Sequence, residues 1–414
     1  MSFITIEYYL FLTLVVLLIH STGKRLSWLW LLIASYAFYA AIHIEYSLVM
    51  LVSTVIAYFT GRAMGSGLKG RWLFFSLGLL TDLSLLFYFK YLGFFLENVN
   101  DICGTNFDTA YSLATNIILP IGISFYTFQS LSYTIDIYRK RREPEKHFGY
   151  YALYISFFPQ LVAGPIERSE YLIPQLKNKI KPSLDSIFQG GKLILWGLFK
   201  KIVIADTLAV YVSALYTNPE NYNSLEMIIA VYAFAFQVYF DFSGYSNIAI
   251  GSAKMFGIDL SMNFNNPLTS KTISELWTKW HITLMTFFKT YIYNPIKSAG
   301  IFGKNGLVAL MIVFVVSGLW HGSSWNFVLF GIINGLAIII ERKSGFLKLV
   351  KKKVEKGKLS TLANVALVFY TISLLSFSTI WFKSINFDHS ITVLARIGDL
   401  DFFEIPYTRI LYII

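Results

Sequence analysis

Long runs of apolar residues, separated by short polar connectors, recur along nearly the whole chain. The first run, "ITIEYYLFLTLVVLLIH" (4–20), lacks a basic segment before it and a small-residue cleavage site, so we expect it to remain as a first membrane span. Because an α-helix crosses a bilayer with about 17 to 25 apolar residues, the pattern predicts an all-α polytopic integral membrane protein with roughly ten crossings. The further predicted spans are 26–43, 45–61, 72–96, 117–137, 192–216, 225–250, two short spans within 306–341, and 361–382.

Basic residues are concentrated in alternate connectors between these runs. Arg62, Lys69 and Arg71 lie between the third and fourth spans, and "RKRREPEK" (139–146) follows the fifth, whereas the loop after the fourth span has no Lys or Arg. Since cytoplasmic loops are enriched in these residues, we expect the N-terminus outside and the basic connectors in the cytoplasm. The distribution predicts a protein of the cell (inner) membrane, in contact with lipids, and it accounts for the net charge of +11 without a nucleic-acid partner.

Two segments interrupt this regular pattern. Three prolines and a glycine in "FFPQLVAGPIERSEYLIPQLKNKIK" (157–181) are incompatible with one continuous helix, so we expect a re-entrant element there. The segment 262–300 is rich in aromatic residues but too polar for a simple crossing, which predicts broken or interfacial helices. Within it, Ser274 is expected to begin a helix with a capped N-terminus.

Composition supports the membrane class and argues against several kinds of site. Apolar residues make up 55% of the 414 residues and charged residues only 14%, against roughly 25% charged residues in soluble domains. Cys103 is the only cysteine, and the six histidines show no HxxxH or HExxH spacing, so we expect no disulfide, no metal site and no permanently bound cofactor. "GSGLKG" (65–70) matches a dinucleotide-binding pattern outside the strand–helix context that such a site needs. With no internal repeat and no long linker, residues 1–414 are expected to form a single membrane-embedded domain.

The stretch "SGLWHGSSWNFVLFG" (317–331) places His321 in an otherwise apolar region. An ionisable side chain inside a membrane is costly, which favours a functional role, although such a ring can also serve as a structural hydrogen-bond partner for a neighbouring helix. Glycines on either side allow a close approach of backbone or ligand, and Trp320 and Trp325 are candidates for the walls of a cavity. The predicted span 306–320, which leads to His321, rises only about 22 Å as a helix. This is less than the roughly 30 Å of the hydrocarbon core, so we expect the His321 side chain at the floor of a funnel below the outer surface.

A second histidine, His281, lies in "LWTKWHITL" (276–284). Taken alone, it is more typical of a structural histidine in an interfacial helix than of a site residue. The predicted topology nevertheless places it on the cytoplasmic side, opposite the funnel of His321, which suggests a channel where a donor and an acceptor meet. Asp241, in "VYFDFSGYSNIAIG" (238–251), either pairs with a base at depth or caps a break in its helix.

Other charged residues in the predicted spans and loops are expected to be structural. Asp136 lies one turn before Arg139, which would satisfy its carboxylate. Glu167 and Arg168 are adjacent in the predicted re-entrant element, and we expect them to pair with each other and orient that loop.

Five stretches, in the same order, resemble the membrane-bound O-acyltransferase (MBOAT) family, and within it the branch of alginate O-acetyltransferase membrane subunits. The resemblance implies an MBOAT fold, in which helices surround a central channel. It also implies that the two functional histidines of the family correspond to His281, in Trp-x-x-Trp-His, and His321, in Trp-His-Gly. The five stretches are "LPIGISFYTFQSLSYTIDIYR" (119–139), "FFPQLVAGPIER" (157–168), "FDFSGYSNIAIG" (240–251), "NFNNPL" with "SELWTKWHITL" (263–284) and "SGLWHGSSWNFVLFG" (317–331), within a core of 119–340.

The resemblance also implies a reaction. An acyl group, acetyl in the first instance, moves from a cytoplasmic thioester donor such as acetyl-CoA to a hydroxyl on the outer side. There an extracytoplasmic partner acyltransferase completes the modification of a polysaccharide. His321 is the expected general base, since an imidazole with an ordinary pKa near 6.5 accepts a proton at neutral pH, and His281 is expected to line the donor channel. The other candidates for this channel are Asp241, Tyr245, Asn266, Trp277, Trp280, Trp320 and Trp325.

The chain departs from the family pattern at two positions. Lys289-Thr290-Tyr291 stands where this branch usually has Arg-Asp-Tyr, and Asn334-Gly335 stands where a His-Gly often follows the second motif. We also expect that "RILYII" (409–414) begins a further span that is cut short. Three alternatives remain open: a teichoic-acid D-alanyltransferase supplied by a carrier protein, a transporter or flippase, which predicts inverted repeats, and a non-catalytic scaffold.

Overall fold

Helices account for all the regular secondary structure in the described part of the chain, which confirms the predicted all-α class. The computed structural model describes residues 3–22, 25–104, 117–178, 180–300, 303, 305–357 and 359–402. By length and composition, five helical segments could cross a membrane: Ile44–Gly65, Arg71–Cys103, Ser224–Met255, Trp325–Lys343 and Thr361–Lys383. Three apolar helices are shorter: Ile6–Thr22, Ser27–Ala40 and Leu307–His321. The chain is therefore a multi-pass membrane protein.

The described chain divides into two compact units, of which the first comprises 1–198 and 244–262. Its interior is strongly aromatic, with Tyr8, Phe38, Tyr126 and Phe157 fully buried. A short π-helix, Phe87–Tyr91, joins its fourth and fifth helices. The α-helices of this unit are α1 (Ile6–Thr22), α2 (Ser27–Ala40), α3 (Ile44–Gly65), α4 (Arg71–Leu86), α5 (Leu92–Cys103), α6 (Ile123–Tyr138), α7 (Phe148–Ser156), α8 (Phe158–Leu161), α9 (Ser169–Asn178) and α10 (Leu184–Leu198).

The second unit comprises 199–243 and 263–414. Helix α12 (Ser224–Met255) contributes residues up to 243 to this unit and its later residues to the first. The prediction of one domain over the whole chain stays a prediction. The other α-helices of the second unit are α11 (Asp206–Thr217), α13 (Ile273–Lys279), α14 (Ile282–Phe288), α15 (Asn294–Ala299), α16 (Leu307–His321), α17 (Trp325–Lys343), α18 (Phe346–Glu355), α19 (Thr361–Lys383) and α20 (Phe387–Gly398), with π-helices at Phe199–Ala205 and Lys289–Tyr293 and 3-10 turns at Pro219–Asn221 and Pro267–Thr269.

Two of the predicted spans differ from the observed helices, one in its starting residue and one in its continuity. The span 117–137 coincides with α6, which begins only after Gly122 at a φ of 81°. The span 192–216 falls on α10 and α11, which are separated by the seven-residue π-helix Phe199–Ala205. The sequence "RILYII" (409–414) lies outside the described residues, so the predicted truncated span remains untested.

The segment 157–181 is broken into two short helices, as its prolines predict. The irregular turn 162–168 separates α8 from α9, but Pro174 lies inside α9 and does not end it. The hydroxyl of Tyr154 donates a hydrogen bond to the carbonyl oxygen of Glu167 at 3.0 Å. Such contacts matter because irregular backbone at membrane depth persists only where protein or water satisfies its polar groups.

The charged residues around this turn have different partners from those predicted. Asp136 forms ion pairs with Arg168 at 2.9 Å and Arg141 at 3.5 Å, so the predicted pairing with Arg139 was wrong. The chain leaves α6 at Arg139, which is the C-cap residue. The predicted pairing of Glu167 with Arg168 was also wrong: Glu167 accepts hydrogen bonds from the backbone N–H and the hydroxyl of Ser261. These adjacent residues of an irregular turn point in different directions: Arg168 reaches α6, whereas Glu167 reaches the segment that follows α12.

Residues 262–300 form the short, broken helices that the sequence predicts. Helix α13 is separated from α14 by two residues, and the π-helix Lys289–Tyr293 separates α14 from α15. The N-cap of α13 is Thr272, whose hydroxyl accepts a hydrogen bond from the backbone N–H of Glu275 at 3.0 Å. The capped start is therefore two residues earlier than Ser274.

Candidate functional site

A cavity of about 350 Å³ in the second unit contains His321 together with several of the predicted site residues. This volume lies within the range typical of small-molecule sites. Aromatic and aliphatic side chains form most of its wall, and His321, Asp241, Gln237 and Thr379 supply polar groups. The remaining described residues of the lining are Phe234, Val238, Phe242, Trp277, Trp280, Trp320, Phe330, Leu375 and Phe382.

The position of His321 follows from the close packing of α16 against α17. His321 is the last residue of α16, and the chain then runs through Gly322, which has an extended backbone, to the start of α17 at Trp325. A Cβ at Gly318 would collide with the carbonyl oxygen of Phe327, and one at Gly331 would collide with that of Phe314. Only glycine at these two positions lets the helices approach so closely, and the approach holds His321 against the cavity wall.

Aromatic rings surround His321, and one of them also contacts His281. The His321 ring lies edge to face with Trp320 at 4.9 Å and with Phe382 at 5.2 Å between ring centroids. Trp320 also packs against His281, and the centroids of these two rings lie 5.6 Å apart. Trp320 therefore contacts both histidines.

His281 has an unusual backbone conformation in the turn between α13 and α14. Its φ is 44°, in the left-handed region that residues with a Cβ rarely adopt, and its side chain is buried. Strained conformations of this kind cluster at functional sites. Hydrogen bonds on both sides hold the turn: Ile282 N–H donates to the Asn263 carbonyl oxygen at 2.9 Å, and Asn265 N–H donates to the Lys279 carbonyl oxygen at 3.0 Å.

The imidazole of His281 is buried without a hydrogen bond to the described residues. Neither Nδ1 nor Nε2 has such a partner, and the ring packs edge to face on Phe242 at 4.6 Å. A buried polar group without a partner is costly and calls for an explanation. His281 thus adds two nitrogen atoms with unused hydrogen-bonding capacity beside the aromatic wall of the cavity.

Side chains from α17 fix the position of α13, which contains Trp277 and is followed directly by Trp280. Glu341 accepts hydrogen bonds from the backbone N–H groups of Ile273 at 2.7 Å and Ser274 at 3.0 Å. The indole N–H of Trp277 donates to Oδ1 of the fully buried Asn334 at 3.2 Å. Asn334 is one of the positions where the chain departs from the family pattern, and here it anchors the tryptophan that lines the cavity.

Asp241 pairs with a base, which is one of the two alternatives that the sequence left open, although the sequence analysis did not name the partner, Lys201. Its Oδ1 lies 2.6 Å from Nζ of Lys201, which also lies 2.6 Å from Oδ1 of Asp206. Lys201 belongs to the π-helix Phe199–Ala205, a type of element that is frequent at functional sites. The lysine in the apolar run "FKKIVIA" was the available signal, because a charged residue there needs a partner.

Four of the predicted site residues lie outside the cavity lining, and one of these, His281, packs against the lining residue Trp320. Tyr245 belongs to the first unit, where its ring contacts Phe3 at 6.2 Å. Asn266 is exposed at a φ of 47° and precedes the 3-10 turn Pro267–Thr269. Trp325 is 59% exposed at the start of α17. The other five, which are His321, Asp241, Trp277, Trp280 and Trp320, all line the cavity.

No group of three or more His, Cys, Asp or Glu side chains that could hold a metal ion occurs among the described residues. The predicted absence of a metal stays a prediction. The polar groups that converge here are an imidazole, a carboxylate, an amide and a hydroxyl, a set suited to proton transfer and hydrogen bonding on an organic substrate.

Residues 145–380, which include every lining residue of this cavity except Phe382, match the model of the MBOAT, or membrane-bound O-acyltransferase, family. The chain therefore belongs to that family, which confirms the resemblance noted in the sequence.

Several curated proteins are similar to the chain. It is 35% identical to the peptidoglycan O-acetyltransferase of Helicobacter pylori, a match covering 76% of this chain and 64% of the relative. It is 37% identical to the probable alginate O-acetylase AlgI of Pseudomonas aeruginosa, covering 81% and 65% respectively. A more distant relative, at 25% identity over 62% of this chain and 67% of its own length, is the teichoic acid D-alanyltransferase of Bacillus subtilis. The chain spans just under two thirds of the length of the first two relatives.

Proposed function

We propose that this protein transfers an acyl group, specifically acetyl, from a thioester donor to a hydroxyl acceptor, with His321 as the general base. The observation that carries the proposal is the grouping of His321 and Asp241 in one cavity, with His281 on the other side of Trp320. Family membership supports acyl transfer as the reaction class.

The proposed reaction needs one proton acceptor and one activated acyl group. A ring nitrogen of His321 takes the proton of the acceptor hydroxyl while its oxygen bonds to the thioester carbonyl carbon. The C–S bond then breaks, the ester remains on the acceptor, and the proton passes to the departing thiolate. Positioned proton transfer of this kind contributes about 10² to 10⁴-fold to the rate.

His281 and Asp241 have supporting roles in this proposal. The ring nitrogens of His281 lack hydrogen-bond partners among the described residues, so they are available to the donor thioester at the end of its channel. Asp241 orients a polar group of the substrate, and its ion pair with Lys201 keeps the carboxylate in one position.

The predicted topology and the names of the relatives support proposals for the donor, the acceptor and the cellular setting. We propose acetyl-CoA or another cytoplasmic thioester as donor, a carbohydrate hydroxyl outside the cell membrane as final acceptor, and an extracytoplasmic acyltransferase as partner. The names of two relatives, an alginate O-acetylase and a peptidoglycan O-acetyltransferase, support a carbohydrate acceptor. The relative named as a teichoic acid D-alanyltransferase supports D-alanyl transfer as the second candidate.

The test is the O-acetyl content of cell-surface polysaccharide in cells that carry His321→Ala. We expect at least a 100-fold loss of acetyl transfer at unchanged abundance in the membrane, because the general base is removed. His20→Ala is the matched control, since His20 is exposed at the end of α1 and far along the chain from the cavity residues.

Two results would contradict the proposal. Normal acetylation in His321→Ala cells would remove His321 from the reaction and favour a transporter or a scaffold. Loss of D-alanyl esters with unchanged O-acetyl content would instead favour the second candidate.

A further inference from the structure

A second cavity, of about 370 Å³, lies in the second unit on α13, α14, α16 and α17. Its buried floor is apolar and includes Leu310, Val313, Phe314 and Ile338. Trp277 lines both this cavity and the one that contains His321. The proposed reaction does not use this second cavity, although it shares a wall with the candidate active site.

Two cations, Lys289 and Arg342, are part of its lining. Both residues are exposed, whereas the floor is buried, so they lie at the mouth of the cavity. Among the described residues, neither cation has an ion-pair or hydrogen-bond partner. The neighbouring carboxylate, Glu341, is buried and caps the backbone of α13. The mouth therefore carries positive charge that no described residue neutralises.

The lining of the cavity also includes a buried hydroxyl group. The hydroxyl oxygen of Ser274 is buried without a hydrogen-bond partner among the described residues, and Ser274 lines the cavity. An apolar floor, a hydroxyl and two cations at the mouth are complementary to a molecule with a hydrocarbon chain and an anionic head.

The next helix indicates where this mouth lies in a membrane. Helix α18 (Phe346–Glu355), which follows Arg342 by four residues, has Val350 buried and Lys351, Lys352 and Lys353 exposed. Basic amphipathic helices of this kind lie at the level of lipid headgroups and are attracted to anionic lipids. The mouth of the cavity is then at headgroup depth, within reach of a phosphate.

We infer that this cavity is a binding site for an anionic phospholipid. One acyl chain occupies the floor beside Leu310 and Ile338, and the headgroup phosphate binds Lys289 and Arg342. The site does not depend on the proposed acyl transfer, since lipid binding is measured without any reaction.

The test is native mass spectrometry of the full chain in detergent, titrated with phosphatidylglycerol or with phosphatidylcholine of the same acyl chains. We expect retained phosphatidylglycerol on the wild type, and about 30-fold weaker retention in Lys289→Gln/Arg342→Gln, because each cation near a membrane surface contributes on the order of 1 kcal/mol. The matched control is Lys343→Gln/Lys352→Gln, which removes two exposed cations of the same region that do not line the cavity. A second variant, Ile338→Trp, fills the floor and is expected to reduce the retention of both lipids.

Three results would overturn the inference. Equal retention in the wild type and in Lys289→Gln/Arg342→Gln would show that these cations do not bind the headgroup. An equal loss in the control would indicate diffuse attraction to a basic surface. Displacement of the lipid by acetyl-CoA would assign the cavity to the acyl donor.

Discussion

At the scale of single residues, Lys201 holds two carboxylates of which only one faces the candidate active site. Its Nζ lies 2.6 Å from both Asp206 and Asp241, but only Asp241 lines the cavity. The two aspartates are therefore a matched pair: they share a partner and differ in access to substrate.

Substituting each aspartate in turn distinguishes a role of the carboxylate in the reaction from a role in folding. We expect Asp241→Asn to lower the rate of acetyl transfer by about 10- to 100-fold, the range of a charge-assisted hydrogen bond worth roughly 1.5 to 3 kcal/mol. Asp206→Asn is expected to leave the rate within about twofold, because an ion pair with Lys201 remains and contributes little at a partly exposed position. The measurement is acetyl transfer per unit of protein in purified membranes. Equal losses in both variants would mean that Lys201, and not the cavity carboxylate, determines the effect.

At the scale of elements, the pairing of α16 with α17 depends on glycines with different amounts of space around them. A Cβ at Gly318 would collide with the backbone carbonyl of Phe327. A Cβ at Gly335 would meet the flexible side chain of Met311, with Sδ at 3.0 Å, and the Cβ of Phe314 at 3.2 Å, a contact that needs a shift of only a few tenths of an ångström. Backbone cannot move aside without separating the helices, but a methionine side chain can change rotamer.

We therefore expect the substitutions Gly318→Ala and Gly335→Ala, on the same pair of helices, to change the free energy of unfolding by different amounts. We expect Gly318→Ala to lower the free energy of unfolding by roughly 1 to 3 kcal/mol or more, because it overpacks the contact. Gly335→Ala is expected to change it by less than about 1 kcal/mol, since the higher helix propensity of alanine offsets a small rearrangement. Thermal unfolding in detergent measures both. A Gly318→Ala variant as stable as Gly335→Ala would contradict the close approach of α16 and α17.

At the scale of the whole molecule, the sequence predicts the class and the principal site residues better than the contacts among them. Helical spans and the two histidine motifs depend on local composition and order along the chain, and both could be predicted. The contact of Trp320 with His281 and His321 depends on the packing of α13 against distant helices, with anchors from Asn334 and Glu341 that lie 57 and 68 residues away from their partners. No periodicity in the sequence specifies such pairs.

Sequence proximity to a motif also gave candidates that do not line the cavity. Tyr245 follows Asp241 by one turn, yet α12 passes into the first unit between them. Trp325 is near His321 in sequence, but the extended backbone at Gly322 and Ser324 carries it to the exposed start of α17. Both residues lie away from the cavity lining because a short motif does not reveal where a helix ends or which neighbours it meets.

In the second unit, a hydrogen bond joins Ser224 and Asp401, which are 177 positions apart in the sequence. Asp401 accepts hydrogen bonds from the hydroxyl of Ser224 at 2.6 Å and from its backbone N–H at 2.8 Å, at the start of α12. Arg396, in the last turn of α20, donates to the other carboxylate oxygen at 2.6 Å. The hydrogen bonds from Ser224, followed by the charge of Arg396, lower the pKa of Asp401 to about 2 from an ordinary value of 3.8.

This shift makes a prediction about stability and pH. A carboxylate with a lowered pKa in the folded state stabilises that state above its ordinary pKa, and the contribution disappears as the pH falls through the folded value. We therefore expect Asp401→Asn to unfold at a lower temperature than the wild type at pH 7, and the difference to shrink between about pH 4 and pH 2. The control is Asp399→Asn: Asp399 also contacts Arg396 at 2.6 Å but is half exposed, so its loss should cost less. The measurement is thermal unfolding of the wild type and both variants across this pH range. If the difference in unfolding temperature between Asp401→Asn and the wild type persists unchanged at pH 2, the charge of Asp401 does not hold α20 to the start of α12.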